Sequence, residues 1–363
     1  MDEATVAAYE RAATEWRDQR PAKFLDRAEH LAALVPNGAV TADLGCGAGL
    51  HLPFLGRPAV ALDAAAAMVR ITRDVAADAM GVQADLEHLP FRRGALGGAW
   101  ARASYLHVPR THLPAALADL HRATAVDGYV HLSMEPGSED GTAPDDAFPG
   151  RFFARWSLDA LHDVLVGAGF DVVSLELDPD DDTWIHALAQ RARTLPDTVG
   201  PGMRLLVCGL NPSVLSADVG VGFARRGNRF WPAALDAGIV TADRDPRDAL
   251  VHHRVGMTDL AKRATARADE LSRDEYREGA ARVERLVQWL RPGAVCFVGL
   301  AGYRAAVDRS AVPGVQPERF GDVPSYVMPS TSGLNARTTP AELADHLRAA
   351  AKLADDSLGL ASQ

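Results

Sequence analysis

Asn211 and Pro212 leave the apolar run Met203–Cys208 through Gly209 and Leu210. A side-chain amide does not ionise near neutral pH, so Asn211 is no strong general base. It can, however, hold and orient a water for attack on carbon. An isolated Asn-Pro pair also reads as a simple turn. A second group lies earlier in the chain, where Gly45-Cys46-Gly47-Ala48-Gly49 follows the apolar run Ala39–Leu44. Asp43 precedes it, Asp63 closes the run Ala59–Leu62, and Asp85-Leu86 follow Val82–Ala84. Glycines after a strand let the backbone approach a ligand closely, and an acid at the next strand end can take ribose hydroxyls. Leu334 stands between Gly333 and Asn335 on a loop of small polar residues that begins near Ser330. An apolar side chain there either reaches a core or is kept for a partner.

The elements that must position these groups form two successive α/β patterns. In the first, strands at 39–44, 59–62, 82–84 and 129–134 alternate with a helix over Leu113–Thr124 and another opening at Ser157. The acidic run Asp178–Asp182 reads as a hairpin turn between strands Val172–Leu177 and Trp184–Leu188. In the second, strands Met203–Cys208, Ala294–Val298 and Tyr326–Met328 are joined by a helix from Ser272 to about Leu290 and one from about Tyr303. A last helix opens at Thr339-Pro340-Ala341-Glu342. Ser272…Glu275 and Thr339…Glu342 have capping-box spacing. Strands alternating with helices give parallel, helix-covered sheets, whose ligands sit beyond the carboxyl ends of the strands. The fold class expected is α/β in two domains, 1–194 and 203–354. The Pro/Gly-rich stretch 195–202 reads as a linker and 355–363 as a tail.

At 363 residues the chain has the length for two domains. Its 47% apolar and 24% charged content is that of a globular protein, and it has no apolar run long enough to span a bilayer. The acidic start MDEATVAAYE lacks an export signal, so a cytoplasmic location is expected. Cys46, Cys208 and Cys296 are too scattered for a metal cluster or a disulfide framework. The net charge of −10 is uneven: residues 1–200 carry 17 Lys+Arg against 29 Asp+Glu (−12), and residues 201–363 carry 21 against 19 (+2). Phosphate binding follows local charge. Arg225, Arg226, Arg229 and Lys262 therefore permit a nucleic-acid partner, although a solvated arginine-rich surface fits the same counts.

The blocks Gly209-Leu210-Asn211-Pro212-Ser213, Gly222-Phe223-Ala224, Gly227–Trp231, Gly256–Thr265 and Met328–Asn335 together resemble the mismatch-specific (MUG/TDG-type) uracil-DNA glycosylases. The resemblance covers nearly all of 203–354 and implies a uracil-DNA-glycosylase-like α/β/α sandwich. It also implies excision of uracil, or another altered pyrimidine, opposite guanine in duplex DNA carrying G·U or G·T mismatches. By resemblance Asn211 positions the attacking water and Phe223 stacks on the flipped base. Leu334, with Gly333 and Asn335, is the wedge that fills the gap in the stack. Ser213 and Asp259 belong to the base pocket, and Arg225, Arg226, Lys262 and Ser330 meet phosphates. Core positions for Phe223 and Leu334, and a surface loop position for Asp259, are the alternatives. Ser213 departs from the glycine of the best-known members, which puts thymine excision in question. No cofactor or metal is expected in this domain.

Asp43-Leu44-Gly45-Cys46-Gly47-Ala48-Gly49, with Asp63 and Asp85-Leu86, resembles the cofactor site of class I S-adenosylmethionine-dependent methyltransferases over about 35–190. The resemblance implies a Rossmann-like sheet and S-adenosyl-L-methionine as cofactor, with Asp63 on the ribose and Asp85-Leu86 at the adenine edge. The methyl acceptor is unknown. Tyr105 and His107 face either a substrate or the core. Neither a Pro-Pro-Tyr signature nor a Pro-Cys nucleophile is present. The rival reading is a small-molecule or RNA methyltransferase whose C-terminal domain binds nucleic acid without catalysis.

Overall fold

Strand burial fixes the architecture. In the computed structural model, which describes residues 1–143, 146–267 and 270–360, the chain divides into two units, Met1–Ala192 and Arg193–Gln363. No helix among the described residues is long and apolar enough to cross a membrane.

The first unit contains helices α1 (Glu3–Gln19), α2 (Leu25–Leu34), α3 (Ala66–Ile71), α4 (Leu113–Ala123) and α5 (Leu158–Gly167). Its strands are β1 (Val40–Leu44), β2 (Ala59–Asp63), β3 (Met80–Gln83), β4 (Leu96–Arg102), β5 (Thr124–Pro136), β6 (Asp140–Thr142), β7 (Phe152–Trp156), β8 (Phe170–Leu177) and β9 (Ile185–Arg191). The central order β3-β2-β1-β4-β5 is parallel, and β9 and β8 add antiparallel beyond β5. The acidic turn at 178–182 does join β8 to β9. Because β1 has β2 on one side and β4 on the other, the strand order reverses at its carboxyl end, where open α/β sheets bind ligands.

The second unit contains helices α6 (Val214–Val219), α7 (Phe230–Asp236), α8 (Pro246–His253), α9 (Arg273–Leu290), α10 (Leu300–Ala306) and α11 (Pro340–Leu358). Strands β10 (Leu205–Gly209), β11 (Val255–Asp259), β12 (Ala294–Val298), β13 (Gly314–Val315) and β14 (Ser325–Met328) form a sheet of order β11-β10-β12-β14-β13, parallel except for β13. Side chains alternate across a strand, so Leu205 and Val207 join one core with α7 and α11 while Leu206 and Cys208 join another with α9 and α10. The sheet is thus covered on both faces. Its reversal point is the carboxyl end of β10, which leads to Asn211. Both expected capping boxes form, at Ser272/Glu275 and Thr339/Glu342.

Two boundaries differ from the sequence reading. The stretch 195–202 is packed into the second unit: Val199 is fully buried, and Thr198 and Met257 exchange two backbone hydrogen bonds of 2.8 Å. Its prolines and glycines make a tight turn, with Gly202 at φ 65°. The tail expected at 355–363 is helical to Leu358, because Arg204 grips Asp355 through two 2.6 Å bonds and Ala354 is buried. Residues 361–363 lie outside the described residues.

Candidate functional site

Gly209 ends β10 in register with Asp259 at the end of β11. A Cβ on Gly209 would lie 2.3 Å from Asp259 Oδ1 and 3.5 Å from Phe223 Cζ. The missing side chain therefore lets a carboxylate and an aromatic ring converge on one strand end. They share a cleft of about 400 Å³ whose wall includes Leu195, Pro196, Met257 and Thr258. Phe223 adopts φ 57°, a backbone conformation costly for a bulky side chain. Its ring stacks on Phe230 at 4.3 Å and 22°, and it also lines the cleft. The Trp231 indole N–H donates to the Gly222 carbonyl at 2.9 Å, fixing the entry to this strained residue.

Asn211 is anchored through its amide nitrogen. That group donates to Thr265 Oγ1 at 2.7 Å, to the Arg263 carbonyl at 3.0 Å and to the Pro212 carbonyl at 3.2 Å. Among the described residues nothing donates to its Oδ1, so the amide has a fixed orientation and a free acceptor. Ser213 is placed otherwise than expected. Its hydroxyl caps α6, accepting from the Ser216 N–H at 3.1 Å and bonding the Ser216 hydroxyl, and it is not among the residues lining the cleft.

Behind the cleft, Asp197 is buried and accepts from Thr258 (2.7 Å), Lys262 (2.9 Å) and Arg282 (2.6 Å). Burial opposes its ionisation, but Arg282 and Lys262 override that and hold it below the usual carboxylate range. Lys262 is therefore committed to an internal ion pair. Asp259 accepts none of these bonds on its carboxylate, while its backbone carbonyl takes Arg282 at 3.0 Å. Burial pushes its carboxyl up to about 6, against the pull of Lys262.

The loop after β14 carries Leu334, which is 91% exposed. Arg229 holds this loop: its guanidinium donates to the carbonyls of Thr338, Ser332 and Asn335, and its N–H to that of Thr331. Gly333 passes so close to the 227 turn that a Cβ would sit 2.9 Å from the Gly227 carbonyl. The Asn335 amide braces the loop against the Ser330 carbonyl at 2.8 Å, and the Ser330 hydroxyl accepts from the Ser332 N–H. Arg225 and Arg226 are exposed.

In the first unit, a cleft of about 790 Å³ opens at the end of β1, lined among others by Asp43, Gly45, Gly47, Asp63 and Leu86. Gly45 has φ 71°, and a Cβ on it would meet Ser104 Cβ at 2.3 Å. Asp63 accepts the N–H groups of Gly47 and Ala65, each at 2.9 Å. Burial raises its carboxyl to about 6 and, with Asp63 as neighbour, raises that of Asp43 to about 8. Asp43 Oδ2 is buried without a partner. Gly49 packs against Leu52 and Thr72. Asp85 lies two residues past β3 and accepts the Glu87 N–H and the amino group of Met1. An orphaned acid, a backbone that approaches without Cβ atoms and a second acid at the next strand end fit an adenosine-bearing cofactor. His107 lines the cleft and receives the Tyr9 hydroxyl at 2.8 Å, whereas Tyr105 is fully buried.

Residues 196–353 match the uracil DNA glycosylase superfamily. Residues 42–132 match the methyltransferase domain family. The chain therefore carries a domain of each kind, a Rossmann-like one followed by a uracil-DNA-glycosylase-superfamily one. Among solved structures, an S-adenosylmethionine-dependent methyltransferase from Mesorhizobium loti is 18% identical over 46% of this chain and all of its own, with a TM-score of 0.38. The 1,6-didemethyltoxoflavin-N1-methyltransferase of Burkholderia thailandensis is 19% identical over 52% of this chain and 85% of its own, with a TM-score of 0.41.

Several residues of the glycosylase-superfamily domain and its neighbour escaped the sequence reading. Thr265 ends the run Gly256–Thr265, yet nothing in the sequence marks it as the partner of Asn211. Asp197 sat in an apparent linker. Arg229 follows the exposed Arg225 and Arg226 in sequence, and only its place beside the buried Phe230-Trp231 sets it apart. Tyr9 and Trp16 lie on α1, a helix the acidic N-terminus did not suggest.

Proposed function

We propose that the second domain removes uracil opposite guanine from duplex DNA. The observation that carries this reading is the anchored Asn211 amide, whose Oδ1 alone is available to a water. A uracil swung out of the stack lies on the open face of Phe223, and Leu334 enters the space it leaves. Flipping costs a few kcal/mol, least for a mispaired base. One hydrogen of the water is held by Asn211 Oδ1, so that its lone pair faces C1′ of the sugar. The N-glycosidic bond breaks, the base departs with the bonding pair, and the water oxygen bonds C1′ as its proton passes to solvent. Backbone N–H groups near Asn211 stabilise charge on the leaving base. Altered pyrimidines other than uracil, when opposite guanine, are slower substrates of the same pocket.

In the first domain, S-adenosyl-L-methionine fits the cleft and supplies an electrophilic methyl group when bound. Asp63 would take the ribose hydroxyls, Asp85-Leu86 the adenine edge, and the Gly45–Gly49 turn the rest of the nucleoside. The acceptor enters beside His107.

Single-turnover release of uracil from a G·U oligonucleotide by the full chain tests the main reading. Release by the native protein and its loss in Asn211→Ala support it. No release from any mismatched duplex, or undiminished release by the variant, overturns it.

A further inference from the structure

Arg102 ends β4 and lines the cleft of the first unit, on the far side of β1 from Asp63. Its Cζ lies 5.5 Å from the ring centre of Phe24 and 5.2 Å from that of Trp184, so the guanidinium is stacked rather than paired. Its Nε is buried without a partner, and among the described residues no carboxylate forms an ion pair with it. Arg20, at the end of α1, lines the same cleft with its Cζ 4.3 Å from the Trp16 ring centre, and it too lacks an ion pair. Burying a cation without a partner is unfavourable, and the flat fork of a guanidinium matches an oxyanion.

We infer that Arg102 holds the methyl acceptor by its negative charge, and that the acceptor is a small organic anion with a carboxylate on an apolar body. This rests on the reading of the cleft as a cofactor site. S-adenosyl-L-methionine brings a single carboxylate, which balances only one of the two guanidiniums, while its ammonium and sulfonium add positive charge. Among the described lining residues Asp63 is the other anion at neutral pH, since burial raises the Asp43 carboxyl to about 8. The loaded cleft is therefore positive, and it favours an acceptor that arrives negative.

The rest of the wall suits the same class of molecule. Trp16, Pro21, Leu50 and Ala103 give it apolar surface, and a cleft of about 790 Å³ shared with a cofactor has the size for a small molecule. No side chain there is free to remove a proton. His107 is engaged at both nitrogens, by the Tyr9 hydroxyl at 2.8 Å and the Phe152 carbonyl at 2.6 Å, and burial lowers it to about 4. His51 bonds the Lys23 carbonyl through Nε2 at 2.8 Å, and burial lowers it as well. Burial keeps the Cys46 thiol protonated. An acceptor that is already an anion needs no base.

The test is calorimetry on the full chain. It gives the affinity for S-adenosyl-L-homocysteine and then, with that compound saturating, for benzoate and 2-naphthoate, each against its amide. The native protein is expected to bind at least one acid about 10–100-fold tighter than its amide, the range for a hydrogen bond to a charged group. Arg102→Gln should bring that ratio close to one while leaving S-adenosyl-L-homocysteine affinity unchanged. Arg102→Lys, which keeps the charge without the fork, should retain part of the preference. Binding of no acid, amides bound as tightly as acids, or a preference that survives Arg102→Gln overturns the inference alone. So does a loss of S-adenosyl-L-homocysteine affinity in Arg102→Gln that 5′-methylthioadenosine, which has no carboxylate, does not share, because Arg102 would then belong to the cofactor. Failure of S-adenosyl-L-homocysteine to bind the native protein overturns the cofactor reading and this inference with it. Thermal unfolding of both variants near the native midpoint excludes misfolding as the cause of a lost preference.

Discussion

Thr265 Oγ1 lies 2.7 Å from the side-chain nitrogen of Asn211, and that contact decides which end of the amide faces outward. The two residues are brought together by a backbone bond from Thr265 N–H to the Pro212 carbonyl at 3.1 Å. Thr265→Val keeps the shape and removes the acceptor, so the amide is freer to turn. Uracil release should slow by about 5–10-fold, in line with ~1 kcal/mol for one neutral hydrogen bond. Asn211→Ala should cost about 100-fold or more, because the water itself is no longer held. Single-turnover rates at saturating enzyme measure both; a Thr265→Val rate equal to native separates the contact from catalysis.

Arg229 ties down the loop that carries Leu334 by donating to its carbonyls. Arg229→Ala leaves the carbonyls of Ser332, Asn335 and Thr338 without their shared donor. Limited proteolysis should then cut within 330–338 faster than in the native protein, with a loss of about 2–3 kcal/mol of local stability. Leu334→Ala should leave that loop intact and slow release from duplex more than from single-stranded DNA. Equal slowing on both strand forms removes the wedge role.

The Asp43 carboxyl gives the first domain a pH signature. Its folded value near 8 lies far above that of an unfolded aspartate, so the stability it contributes is complete below about 4 and lost as pH rises through about 8. Between pH 6.5 and 8 the loss approaches about 2 kcal/mol, one proton's worth over that interval. Asp43→Asn removes this dependence. Its advantage in unfolding temperature over the native protein, measured without cofactor, should grow by about 4–8 °C across the interval. A constant difference would place Asp43 in contact with water.

Asp63 has one oxygen on the Gly47 N–H and the other on the Ala65 N–H, and each oxygen keeps a lone pair for a ribose hydroxyl. Asp63→Ala should weaken binding of S-adenosyl-L-methionine by about 10–100-fold in calorimetry. An unaltered dissociation constant would reassign the ribose contact.

Most of both sheets was legible because their buried strands are short, apolar and punctuated by glycine or acid. β4 carries Gly97-Gly98 in its interior and β7 has arginine within it. Neither shows the apolar run that marks β1 or β10. Strand Val255–Asp259 holds a glycine, a threonine and an aspartate in five residues, so it lacks an apolar run. At the site, Asn211, Phe223 and Leu334 announced themselves by type and neighbours. Thr265, Arg229 and Asp197 act through contacts spanning 54 to 109 residues, and a single chain's local pattern carries no trace of such distances. Lys262 and Ser213 show the converse: each had a residue type suited to the site, and each is consumed by a partner inside the domain.

The pairing of Lys262 with Asp197 has an electrostatic corollary. A cation already neutralised within the protein displaces no condensed counterion when a polyanion arrives. Each lysine or arginine that does so steepens the fall of log affinity with log salt by about 0.9. Lys262 should contribute nothing to that slope, whereas replacing Arg225 and Arg226 by glutamine should flatten it.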